Sequence, residues 1–206
     1  MIERFGPECG LLVIDAQEGI NVCSHWGGPG GARNNPGAET RIAELLAGWR
    51  AVELPIYFTL HDSREEASPL KLSLDSGRPI AGLEPKTGER IVTKDVNSGF
   101  VGTDLELMLR RDRVSRLVVA GFFTNMCIDT TVRMAGNLGY DSYLAHDACA
   151  ASNRVRPEGG CFDADLVHDV SVANLHGEFC TALDTASLLG LLVADAPHLA
   201  RVQGNE

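Results

Sequence analysis

At 206 residues, 44% apolar and 22% charged, the chain has the makeup of a folded globular protein, and its length suits one hydrophobic core; a single domain over residues 1–206 is expected. The formal net charge is −10, and the one basic run, LRRDR at Leu109–Arg113, falls at a predicted helix end where cations suit the macrodipole, which argues against nucleic acid as a partner. No apolar stretch approaches the roughly 20 residues that cross a bilayer, and the opening MIERFGPECG does not read as a secretory leader, so a cytoplasmic protein without a membrane partner is expected.

Taken in chain order, Leu11–Asp15 (LLVID) is the first predicted strand. A glycine-rich loop, WGGPGGARNNPG from Trp26 to Gly37, follows; it lacks the Lys-Ser/Thr of a phosphate loop. Ile42, Leu45, Leu46, Trp49 and Val52 recur at helical spacing between Pro36 and Pro55. Ile56–Leu60 is a second strand. His61–Glu89 has no clear period and holds Pro69, Pro79 and Pro85, the marks of a long surface excursion that shapes a site. Arg90–Lys94 is a third strand. Thr103 and Glu106 then form a capping-box pattern ahead of Leu105, Met108 and Leu109. Arg116–Gly121 is a fourth strand, and Cys127–Leu138 a helix closed by Gly139. Ser142–His146 follows as a strand, then a helix within Cys161–Gly177, then Glu178–Leu183 as a sixth strand.

The strongest strand candidates are continuously apolar rather than alternating, as strands covered on both faces must be. With helices between them they predict a three-layer α/β fold: a six-stranded, mostly parallel, Rossmann-like sheet with helices on both faces.

In such sheets ligands bind at the carboxyl ends of the strands. Asp15 closes one strand, Lys94 closes another, and Cys127 follows a third by a short turn. An aspartate there is also an ordinary turn residue, and a cysteine in an apolar helix an ordinary core residue. Lys94 is more telling. The chain holds three lysines against fifteen arginines, yet this one ends an apolar strand, where burial without a partner is costly. Together the three make a coherent site. A thiol needs help to become a nucleophile. A helix start and the Lys94 ammonium supply positive charge, Asp15 takes the proton and later activates water, and free backbone N–H groups from Phe123 to Cys127 bind an oxyanion. The six cysteines at 9, 23, 127, 149, 161 and 180 show no C-x-x-C spacing and read as free thiols.

These residues resemble the isochorismatase-like cysteine hydrolases, a family that includes nicotinamidases, other amidases and isochorismatase. The resemblance lies in LLVIDAQ (Leu11–Gln17), TKDVNSGFVGTDLELML (Thr93–Leu109), VVAGFFTNMCIDTTVRMAGNLGY (Val118–Tyr140) and HDACA (His146–Ala150). It implies an Asp15–Lys94–Cys127 triad on a six-stranded parallel sheet. It also implies a cis peptide before Phe123 that turns this residue's N–H toward the oxyanion beside that of Cys127. The family's isochorismatases cleave a vinyl ether without the cysteine, whereas its amidases retain it, so Cys127 points to C–N hydrolysis through a thioester. The metal-binding D-x-H of the nicotinamidase branch reads here as Thr59-Leu60-His61, so no metal and no cofactor are expected. The expected partners are a small amide, ureide or lactam and further copies of the chain, as a dimer or tetramer. Gln17, Trp26, His61, Phe100 and Thr124 are the pocket candidates; His168 and His176 read as surface or subunit contacts. Two other functions fit the same residues: a vinyl-ether hydrolase with Asp15 as acid, and a redox-sensitive thiol protein.

Overall fold

The computed structural model describes residues 4–27 and 31–193. β1 (Cys9–Ile14) leads through a 3₁₀ turn to the short α1 (Cys23–Gly27) and the long α2 (Ala38–Ala51). β2 (Ile56–His61), β3 (Arg90–Lys94), α3 (Leu105–Arg111) and β4 (Arg116–Phe122) follow, then a π-helical turn over Thr124–Ile128 that runs into α4 (Asp129–Asn137). β5 (Asp141–Ala150), a two-stranded ribbon of β6 (Arg154–Val155) and β7 (Cys161–Phe162), α5 (Ala164–Leu175), β8 (Thr181–Leu183) and α6 (Thr185–Val193) complete it.

Six strands form one sheet in the order β3-β2-β1-β4-β5-β8, every neighbouring pair parallel. The chain steps outward from β1 to β3 and then returns to the other side of β1 as β4. The crevice between the ends of β1 and β4 is therefore the point where chain order reverses. Both sheet faces are covered, because alternate residues of one strand feed different cores. Leu11 and Val13 pack with Ile42, Leu46 and Trp49 of α2 and Leu188 of α6; Leu12 and Ile14 pack with Leu105 and Leu109 of α3 and Val132 of α4. This is the three-layer α/β arrangement that the unbroken apolar runs predict.

Some expectations need correction. The fifth strand runs on to Ala150, past the polar His146 and Asp147, with a register shift against β4 between Val119 and Gly121. The sixth begins only at Thr181. The Thr103 capping box does not form: Asp104 precedes the helix, and the Thr103 hydroxyl instead donates to the Gly99 carbonyl (2.6 Å). Cys161 and Phe162 are strand rather than helix, and α6 has no counterpart in the sequence reading. The Trp26–Gly37 loop is described except for residues 28–30, and its first residues close α1. Among the described residues no helix is long and apolar enough to cross a membrane.

Gly121 sets how closely β4 approaches β1. Its φ is +126°, and a Cβ there would collide with the Ile14 backbone. Gly121→Ala is therefore expected to lose at least about 2 kcal/mol of stability in urea unfolding. Gly37→Ala, with open space around its Cβ and φ −92°, is expected to stay within about 0.5 kcal/mol of the parent.

Candidate active site

Four side chains meet at the carboxyl ends of four strands, β1 to β4. Asp15 follows β1 in the left-handed region (φ 51°), a conformation aspartate tolerates better than most residues. Its backbone N–H donates to the Thr59 carbonyl, which fixes the turn. His61 ends β2, Lys94 ends β3, and Cys127 lies in the π-helical turn after β4. The peptide bond between Phe122 and Phe123, at the entrance to that turn, is cis.

Lys94 is the hub. Its Nζ lies 2.6 Å from Asp15 Oδ2, 2.8 Å from His61 Nδ1, 3.2 Å from the Val96 carbonyl and 3.3 Å from Cys127 Sγ. The Thr59 hydroxyl donates to the other Asp15 oxygen at 2.6 Å. Facing an ammonium, His61 Nδ1 accepts, which leaves the ring proton on Nε2. The sulfur is also 3.8 Å from His61 Nδ1 and 3.9 Å from Asn97 Oδ1. Asp15 is 1% exposed and Lys94 3%, so this is a buried ion pair, with a barely accessible sulfur (7%) beside it.

Burial opposes the charge on Asp15, but the Lys94 ammonium and His61 outweigh it and hold the carboxyl below the usual carboxylate range. Burial likewise opposes the charge on Lys94, and the Asp15 carboxylate and then Cys127 more than offset it, raising the lysine. The thiol behaves differently. Burial and then the Asp15 carboxylate push it well above an ordinary cysteine, with Lys94 opposing. The resting state is carboxylate, ammonium and neutral thiol. The helix start and Lys94 do not yield a standing thiolate; they sit beside a thiol whose proton has a nearby acceptor.

Asp15, His61 and Cys127 each offer one ligand atom, all within 4.8 Å of one another, a spacing that could hold a metal ion. The Lys94 ammonium bonds to all three, however, so the positive charge that such a cluster favours is supplied by the protein itself.

A cavity of about 120 Å³ opens above the sulfur, bounded by Asp15, His61 and Cys127 on its floor and by Trp26, Phe123 and Met126 on one wall. The rings of Trp26 and Phe123 meet at 5.3 Å between centroids. Ser63, Glu65, Ser68 and Asn97 form the polar side. None of the four was among the pocket candidates: three come from the irregular His61–Glu89 excursion, and Asn97, although inside the Thr93–Leu109 segment, has no distinguishing spacing of its own.

Of the predicted pocket residues, Trp26 and His61 face this cavity; Gln17, Phe100 and Thr124 do not line it. Gln17 is fully buried, and its amide pairs with the backbone of His61, accepting from N–H at 2.8 Å and donating to C=O at 3.1 Å, while reaching the Gly77 carbonyl at 2.8 Å. It therefore sets the His61 backbone. Phe100 stacks on Tyr140 and packs against the apolar core of α3 and α4. Thr124 is buried in the nucleophile turn and meets His168 Nδ1 at 2.9 Å.

His168 corrects the surface reading. It is 5% exposed because α5 packs this face against the turn, and its Nε2 lies 3.5 Å from the Asn35 amide, which donates to the Cys149 carbonyl at 2.7 Å. Burial holds it below the ordinary histidine value. His176 does lie at the surface, where its Nδ1 accepts from the Ala182 N–H.

Lys94→Met would leave the Asp15 carboxylate buried and unpaired, at an expected cost of about 3–5 kcal/mol. Asp15→Asn with Lys94→Met should cost less than the sum of the two single changes, as measured by denaturant unfolding. Because Asp15 is lowered in the folded state, the pair's contribution is complete above the unfolded carboxyl value of about 4 and is lost as pH falls through the folded one. Acidification below about pH 4 should therefore weaken the parent more than the double variant.

Comparison with known proteins identifies the family. Residues 9–187 match the isochorismatase domain. YrdC, an uncharacterized isochorismatase family protein of Bacillus subtilis, is 35% identical over 179 residues, covering 87% of this chain and 93% of its own. A crystal structure of an isochorismatase-family protein from Chromobacterium violaceum superposes with a TM-score of 0.86 at 40% identity, covering 93% of this chain and 97% of that one. The ureidoacrylate amidohydrolase RutB of Acinetobacter baylyi is 31% identical over 110 residues, 53% of this chain and 41% of its own. The fold, the strand-end residues and these matches have one reading: the chain belongs to the isochorismatase family of hydrolases.

Proposed function

We propose that this hydrolase cleaves the C–N bond of a small amide, ureide or lactam through a thioester on Cys127. The observation that carries the reading is the single ammonium that bonds both a buried carboxylate and a sulfur on the floor of a cavity. A likeness, over part of the chain, to a protein named as an amidohydrolase supports it.

The resting charges dictate the order of events. As Sγ attacks the substrate carbonyl, its proton passes to the Asp15 carboxylate, while Lys94 stabilises the negative charge gathering on sulfur. Backbone N–H groups of Phe123 and Cys127 hold the oxyanion of the tetrahedral intermediate. Asp15 returns the proton to the departing nitrogen, and ammonia or an amine leaves. Water, deprotonated by Asp15, then attacks the thioester, and its collapse restores the thiol and releases a carboxylic acid. His61, whose Nδ1 faces Lys94, keeps the ammonium aimed between oxygen and sulfur. A vinyl-ether hydrolase would need Asp15 protonated before the reaction begins, whereas the Lys94 ammonium favours its ionised form; in the thioester route the thiol supplies that proton.

A panel of small amides, ureides and lactams should show ammonia or amine release by the parent protein. Cys127→Ala should reduce kcat/KM at least about a thousandfold, and mass spectrometry should find an acyl group on Cys127 in quenched parent reactions. Undiminished release by Cys127→Ala would refute the thioester route, and vinyl-ether cleavage surviving that change would favour the rival chemistry. With the carboxyl lowered and both the thiol and the ammonium raised, kcat/KM should be flat between about pH 5 and 9.

A further inference from the structure

Resting on the hydrolase reading, we propose that the cavity selects amides and ureides that bear no negative charge and rejects those that carry a carboxylate. The charges around it carry the inference. Its ionisable acids are Asp15 on the floor and Glu65 at the mouth, and among the described residues lining it there is no arginine or lysine. Ser63, Ser68 and Asn97 offer dipoles only.

Among the described residues, the cations that contact or adjoin the cavity lining are already engaged. The Lys94 ammonium is enclosed by Asp15, His61, Cys127 and the Val96 carbonyl. Arg33 lies over the outer part of the Phe122 ring at 5.2 Å, but both its terminal nitrogens are bonded to Glu39, at 2.6 and 2.9 Å. Lys71 donates to the Ser63 carbonyl at 2.8 Å, and Arg64 turns outward to Asp95 at 2.7 Å. His25 Nε2 stands 3.9 Å from Glu65, so its charge, when present, is matched as well.

A carboxylate-bearing substrate would have to enter about 120 Å³, roughly the volume of four waters, beside an ionised aspartate and past a glutamate, with no guanidinium fork to receive it. Burying an uncompensated charge there is strongly unfavourable. An uncharged amide has no such penalty. Its N–H groups suit the serine, asparagine and carboxylate oxygens, and its apolar remainder suits Trp26, Phe123 and Met126. The substrate class differs in this respect from the ureidoacrylate named for RutB, which is an anion.

Iodoacetamide and iodoacetate test this directly. Both alkylate a thiol in the same way: sulfur bonds to the methylene carbon, iodide leaves, and the thiol proton goes to the nearby base or solvent. They differ only in carrying an amide or a carboxylate. The rate at Cys127, read by peptide mass spectrometry, is compared with that of the uncharged thiol 2-mercaptoethanol. The iodoacetate-to-iodoacetamide rate ratio at Cys127 should fall at least about tenfold below that of the free thiol. Glu65→Gln should narrow the gap about twofold, a modest step because Glu65 is largely exposed. Turnover of butanamide against succinamate, matched in length, should favour the uncharged member. An equal or higher ratio at Cys127, or resistance of Cys127 to both reagents, would overturn the proposal. Alkylation needs no turnover, so this result is independent of whether Cys127→Ala abolishes hydrolysis.

Discussion

The Asp15–Lys94 ion pair is the constraint around which the rest of the structure is arranged. Two opposite charges 2.6 Å apart and almost wholly removed from water are stable only while each has the other. That requirement fixes the ends of β1 and β3 relative to each other, although β2 lies between them, and His61 at the end of β2 fills the gap by accepting from the same ammonium. The pair also decides the chemistry. With the carboxyl ionised and the thiol neutral at rest, a proton can pass first only from sulfur to oxygen, which is the order that the proposed reaction uses.

The sheet supplies the placement. Parallel strands put all their carboxyl ends on one edge, and the reversal of chain order between β1 and β4 opens a crevice there. Gly121 lets the backbones of β1 and β4 approach at this edge, and the turn that follows carries the sulfur back over Asp15. Behind that turn, Thr124, His168 and the half-buried Asn35 form a polar chain that ties α5 and the first loop to the segment carrying Cys127.

Much of this was legible in the sequence, for identifiable reasons. Strands buried on both faces leave unbroken apolar runs, so LLVID, IYFTL and RLVVAG were readable, and Asp15, Lys94 and Cys127, at or after strand ends, marked the candidate edge. Legibility failed where contacts are set by tertiary packing alone. His146 and Asp147 interrupt the apolar pattern of β5, yet the strand continues through them. Gln17 and Phe100 lie next to conspicuous residues but are turned away from the cavity. Ser63, Glu65 and Ser68 enter it from a segment without periodicity. His168 touches Thr124 across 44 positions, a contact that no local spacing encodes.

Gln17 has a consequence for how this scaffold diversifies. Its amide grips the backbone of His61 at one end of the excursion and the Gly77 carbonyl near the other, and the Ile80 N–H to Ala16 carbonyl bond closes the same seam. The intervening stretch is thus a loop clasped at both ends, and the Asp62 N–H to Lys94 carbonyl bond (2.8 Å) anchors its start to β3. Replacements or insertions between residues 64 and 76 can therefore reshape the mouth while the clasp keeps the floor of the cavity in register.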